Sequence, residues 1–183
     1  MAHGLQQKME SDIPLNPPSR SFHGMVALVT GAGCEGEGLG NGRAISIMLA
    51  EEGCDVVCLD RSLEWATRTA EIANSKSGRG QAIATCGDVT STLDCTAAIQ
   101  HTLDRFGRFD ILVNNVGIAG APGTAVDVDL EQWAAGLEVN VSSMVVMAKH
   151  AVPAAYYRWC KISFCISVGQ AATLPMCCAP WNV

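Results

Sequence analysis

Short apolar runs alternate with stretches of helical periodicity along most of the chain. Residues 25–30 (MVALVT) are nearly all apolar and end at glycine, the pattern of a strand buried on both faces of a parallel sheet. After a glycine-rich turn, residues 43–52 place Ala44, Ile45, Ile47, Met48 and Leu49 mostly on one helical face, with Gly53 as the stop. Residues 55–60 (DVVCLD) predict a second buried strand. A helix over 63–74, a strand over 81–86, a helix over 92–106 and a strand over 110–114 follow. Beyond a loop holding Gly117, Gly120, Pro122 and Gly123, residues 130–151 predict one long helix or two abutting ones, and residues 162–167 (ISFCIS) a fifth strand. Strands alternating with helices imply right-handed crossovers and a parallel sheet covered on both faces. The fold class is therefore α/β with three layers.

Composition narrows the partners. The 183 residues are 49% hydrophobic and 16% charged, enough to bury a core, so one domain is expected. A net charge of −6 argues against nucleic acid or an anionic membrane surface, which need a basic face. The nine cysteines show no CxxC pair and no Cys/His ligand set, so no metal site is expected and the thiols read as reduced and buried. Residues 1–24 carry Pro14, Pro17 and Pro18 among polar residues and read as a loose arm without the apolar stretch of a signal peptide. The longest later apolar tract is interrupted by Lys149 and His150, short of a membrane span. A soluble, cytoplasmic protein is the expectation.

The chemistry begins in the glycine turn. Gly31, Gly33, Gly36, Gly38, Gly40 and Gly42 lie between the first strand and the first helix, where glycine lets a pyrophosphate approach the backbone and the helix N-terminus offers free N–H groups. A literal GxGxxG at Gly31, Gly33 and Gly36 stands in the strand-turn-helix context such a motif needs, whereas no Gly-Lys-Ser/Thr follows to make a P-loop. The arrangement predicted is a Rossmann-like, doubly wound sheet that binds a dinucleotide. Asp60 ends the second strand, further from Gly31 than the usual separation of about 20 residues, and residues 34–39 account for the excess. A carboxylate there would accept bonds from the ribose hydroxyls and repel a 2′-phosphate, favouring NAD. Arg61 beside it would attract that phosphate, so NADP stays open.

VTGAG at 29–33, GNGRA at 40–44, GDV at 87–89 and NNVG at 114–117 resemble the short-chain dehydrogenases/reductases over about residues 25–155. In that family's TGxxxGxG pattern the last two glycines directly precede the helix, which matches Gly40 and Gly42. This chain then carries extra residues in the turn. They include Glu35 and Glu37, unfavourable beside a pyrophosphate unless the loop points them outward. By the same resemblance Asp88 and Val89 would line the adenine pocket, and Asn114, Val116 and Gly117 would steady the sheet and border the cofactor. Read without it, Asn114 and Asn115 are turn residues closing the fourth strand. Asn140 is similar to a helix asparagine that holds a water for proton relay, and equally suits a structural hydrogen bonder.

The resemblance implies hydride transfer between a nicotinamide and a small carbonyl or alcohol substrate. A tyrosine acts as general acid/base, a lysine lowers its pKa and a serine polarises the substrate oxygen. Tyr and Lys four apart on a helix share a face, hence YxxxK. Ser167 is placed for that serine, with Ser163 a weaker candidate. Counting on from Ser167 to the tyrosine's position reaches Pro180, so the pair is not where it is required. A literal YxxxK at Tyr157 and Lys161 precedes the fifth strand instead of following it. Residues 156–183 also change character, with Trp159, Trp181, Cys177 and Cys178. The expectation is a sheet incomplete on its C-terminal side, a Rossmann unit over 25–155 followed by a divergent tail, and an inactive, catalytically silent or unstable truncated form. Members of the family commonly associate, so a homo-oligomer is a further expectation.

Overall fold

The computed structural model describes residues 21–76, 78–155 and 161–164. In chain order the elements are β1 (Val26–Thr30), α1 (Asn41–Glu51), β2 (Asp55–Asp60), α2 (Leu63–Ser75), β3 (Ala82–Cys86), α3 (Thr92–Phe106) and β4 (Ile111–Asn114). There follow α4 (Leu130–Leu137), a π-helical turn at Glu138–Ser142, α5 (Ser143–Ala155) and β5 (Lys161–Phe164). The strands form one parallel sheet in the order β3-β2-β1-β4-β5. This is the doubly wound, Rossmann-like arrangement.

The strand patterns explain the layers. Along β1 and β2, Ala27, Val29, Val56 and Cys58 point to one face, where Ala50 of α1 and Ala66, Ala70 and Ala73 of α2 cover them. Leu28, Val57 and Leu59 point to the other, against Cys95, Ala98 and Ile99 of α3 and Met147 and Ala151 of α5. Every residue of β1 and β4 is buried, as strands covered on both faces require. Small helix residues on the first face let α1 and α2 approach the sheet closely.

Local chemistry sets the ends. Ser62 and Ser91 cap α2 and α3 by accepting from the N–H groups of Trp65 and Asp94. Gly107, left-handed at φ 70°, ends α3. The first helix starts at Asn41, two residues before the predicted start, because Gly42 within the first turn costs little where N–H groups are unpaired anyway. The stretch predicted as one helix or two abutting ones is two, joined by the π-helical turn. Burial pushes the Cys54 and Cys58 thiols up to about 12, with Asp55 adding for Cys54, and Cys95 up to about 11. They stay protonated and serve as packing.

The fifth strand begins at Lys161, one residue before the predicted start, with Lys161 opposite Ile111 and Phe164 opposite Asn114. Lys161 therefore opens a strand, and the shared helical face that gives YxxxK its meaning does not arise for 157 and 161. Tyr157, Ser167, most of the N-terminal arm and the tail's Trp159, Cys177, Cys178 and Trp181 lie outside the described residues.

Candidate functional site

In a doubly wound sheet ligands bind beyond the carboxyl ends of the strands, where the strand order reverses. Here β2 lies on one side of β1 and β4 on the other, so that crevice opens between the ends of β1 and β4. A buried threonine closes its floor. The Thr30 hydroxyl donates to the Val113 carbonyl (3.2 Å) and accepts from the backbone N–H groups of Asn115 (3.0 Å) and Val116 (3.4 Å). The Asn115 side-chain amide donates to the carbonyls of Thr30 and Gly31, each at 3.0 Å. Two buried atoms at this crossing, Asn114 Nδ2 and Asn115 Oδ1, have no partner among the described residues. Such orphans are uncommon in folded proteins.

The glycines divide by role. A Cβ on Gly42 would lie 2.0 Å from the Gly31 carbonyl oxygen, so the first turn of α1 rests directly on the end of β1. A Cβ on Gly33 would lie 2.6 Å from Trp65 Cβ and 2.7 Å from Asp60 Oδ2. Gly40 is the N-cap of α1 and offers no side chain, so the cap position carries no side-chain acceptor. Its own Cβ would meet Cys34 and the Gly33 carbonyl oxygen, both at ordinary contact distance.

Asp60 is 9% exposed at the end of β2, and backbone donors hold both its oxygens. The Gly33 N–H donates to Oδ2 (2.9 Å) and the Ser62 N–H to Oδ1 (3.0 Å). Gly87 N–H donates to the Asp60 carbonyl (3.0 Å), which brings the GDV segment beside it. Asp88 is exposed and its carboxylate turns back to Thr90, whose N–H and hydroxyl hold it below the usual carboxylate range. Val89 packs into the α3 side of the core. Of the expected residues, Gly31 and Gly42 thus meet at the end of β1, Gly33 meets Asp60, and Asp88 follows Gly87 beside Asp60, with Val116 and Gly117 on the segment leaving β4.

Asn140 sits in the π-helical turn and grips the backbone of Ile118. Its Oδ1 accepts from Ile118 N–H (2.8 Å) and its Nδ2 donates to Ile118 carbonyl (3.0 Å). This is the structural bonding weighed for it, with one amide hydrogen and one lone pair to spare. π-Helical turns within α-helices occur frequently at functional sites.

The enlarged loop, residues 34–39, resolves the difficulty of its two glutamates. Both are exposed, and Glu37 reaches Arg68 on α2 (3.5 Å). An open groove of about 550 Å³ lies between this loop and α2, with Cys34, Arg43, Trp65 and Arg68 among its walls. Sequence reasoning missed Arg43, which is 2% exposed beneath the loop. It also missed Thr30 and Thr69, buried hydroxyls whose importance depends on partners distant in sequence.

The sequence pattern of the short chain dehydrogenases matches residues 25–178. The chain belongs to the short-chain dehydrogenase family. Among relatives of this chain is an uncharacterized oxidoreductase of Thermotoga maritima, 36% identical over 132 residues, covering 72% of this chain and 49% of the relative. A putative short-chain dehydrogenase/reductase from Burkholderia xenovorans is 43% identical with a TM-score of 0.67, covering 72% of this chain and 51% of that one. A 7α-hydroxysteroid dehydrogenase solved with NADH and 7-oxo glycochenodeoxycholic acid is 29% identical with a TM-score of 0.65, covering 73% and 49%. The chain spans about half the length of the relatives it matches. It is thereby a member of an oxidoreductase family that binds NAD(P). No described helix is long and apolar enough to cross a membrane.

Proposed function

We propose that this chain binds a nicotinamide dinucleotide in the crevice between β1 and β4, with NAD preferred over NADP. The observation that carries the reading is Asp60, a carboxylate at the end of β2 tied to the glycine turn through Gly33. An anionic group fixed there accepts from ribose hydroxyls and repels a 2′-phosphate. The remaining residues suit the same ligand: the N-cap of α1, Gly40, makes no side-chain cap bond, Gly31 and Gly42 keep the turn tight, and Glu37 is engaged by Arg68. Arg61, exposed next to Asp60, is the observation favouring NADP.

In the complete family form the nicotinamide would supply hydride exchange with a small carbonyl or alcohol compound, the substrate class of the family. In this reading Asn114, Val116 and Gly117 border the ring, Asp88 and Val89 the adenine, and Asn140 spends its spare bonding capacity on a water. Ser167 polarises the substrate oxygen. The tyrosine and lysine of the proton relay are not supplied by residues 157 and 161, since Lys161 opens a strand. Residues 1–183 therefore bind without turning over. Self-association is proposed through Leu130, Trp133, Leu137, Val141 and Val145, exposed and spaced three or four apart along α4, the π-helical turn and α5.

Calorimetry with NADH and NADPH tests the cofactor reading. NADH is expected to bind at least about tenfold more tightly, and Asp60→Ala to lose about 1.4 kcal/mol of NADH affinity while narrowing that gap. Equal affinities, or tighter binding of NADPH, would reject the preference, and oxidation of NADH with any of a panel of ketones would reject the silent form. Sedimentation of the same sample should give twice the chain mass or more, shifted toward the monomer by Val141→Glu. A monomeric wild type would reject the association.

A further inference from the structure

Arg43 is a buried guanidinium that the cofactor reading leaves unused. Its Nε donates to Thr69 Oγ1 (3.1 Å), Nη2 to the Cys34 carbonyl (2.7 Å), and Nη1 to the carbonyls of Gly36 (3.1 Å) and Gly38. All of these acceptors are neutral oxygens. Thr69, fully buried on α2, in turn donates to the Ala32 carbonyl (2.8 Å). One side chain therefore grips the loop at residues 34, 36 and 38 and, through Thr69, at residue 32.

The consequence falls on the residue between. Gly33 is flanked by Ala32 and Cys34, both held by this network, and its N–H is the donor that meets Asp60 Oδ2. Eight residues separate Gly31 from Gly40 where the family pattern has three, and a loop rich in glycine has many alternative conformations. We infer that Arg43 and Thr69 are positioning residues that hold Gly33 against Asp60 and so set the discrimination between NAD and NADP. The inference rests on the cofactor reading above. A lysine could not replace Arg43, because one ammonium nitrogen cannot reach acceptors spread along the loop and on α2 as a planar fork does. The buried charge requires those oxygens, since a guanidinium without its partners would be stranded away from water.

Thr69→Val separates positioning from charge, because it removes the hydroxyl link and leaves every charge in place. It is expected to raise the NADH dissociation constant about tenfold and that of NADPH less than about threefold, and Thr69→Ser to restore the wild-type ratio. In the ligand-free protein, amide hydrogen exchange at residues 33–40 should quicken in Thr69→Val and Arg43→Gln and stay unchanged in β1 and α3. An unaltered NADH/NADPH ratio, equal weakening of both cofactors, or faster exchange spread over the whole sheet would each overturn the inference. If the wild type binds neither cofactor, the cofactor reading and the discrimination built on it both fail, and exchange then decides only the positioning of Gly33: quickening confined to residues 33–40 upholds it, and none refutes it. Should Arg43→Gln fail to fold, the two Thr69 variants carry the test.

Discussion

Alanine at Gly42 is expected to abolish NADH binding and to lower the stability of the fold by roughly 3 kcal/mol. The new methyl would sit 2.0 Å from the Gly31 carbonyl oxygen and 2.5 Å from Asn115 Nδ2. The nearer neighbour is backbone, and Asn115 already holds that carbonyl, so neither moves aside cheaply. α1 would have to lift from β1, opening the turn on which the cofactor reading depends. Gly40→Ala is the matched control. Both glycines belong to one motif, yet a Cβ at Gly40 meets nothing closer than Cys34 Sγ at 3.4 Å, so stability should change little. Urea denaturation and calorimetry on the two variants check this, and indistinguishable behaviour would sink the steric account.

Valine at Thr30 is expected to cost about 2 kcal/mol, because it keeps the volume and deletes the hydroxyl. Thr30 is 1% exposed, so no water replaces Oγ1 as acceptor for the Asn115 N–H. The bond to the Val113 carbonyl goes with it. The loss is therefore of a crosslink between β1 and the segment that leaves β4. Thr30→Ser, which keeps the oxygen, should retain most of the stability in the same denaturation experiment. A valine variant as stable as wild type would show that the hydroxyl bonds are not what joins the two strand ends.

The strands and most helices were legible because their signals are local. Residues 92–106 lie between a serine cap and a stop glycine, and the observed α3 has those bounds. The buried strands showed as apolar runs, and their alternation with helices announced the parallel sheet. The break between α4 and α5 was legible only as an alternative, since it coincides with Asn140 reaching Ile118, a partner that local sequence does not reveal. For the same reason the close approach of Asp60 and Trp65 to Gly33 was not legible in the sequence. Arg43 could have been suspected. An arginine directly after a long, glycine-rich loop faces many carbonyls that no secondary structure will pair, and a guanidinium can serve several at once.

The bonds between Thr30 and Asn115 span 85 positions of chain. The crevice cannot assemble while β1, β2 and β3 are still gathering. It exists only after β4 has been threaded into place beside β1, and contacts of such long sequence separation form late and slowly. A dinucleotide held there would recognise the finished sheet and not its precursors, drawing the folding equilibrium toward the native chain by mass action.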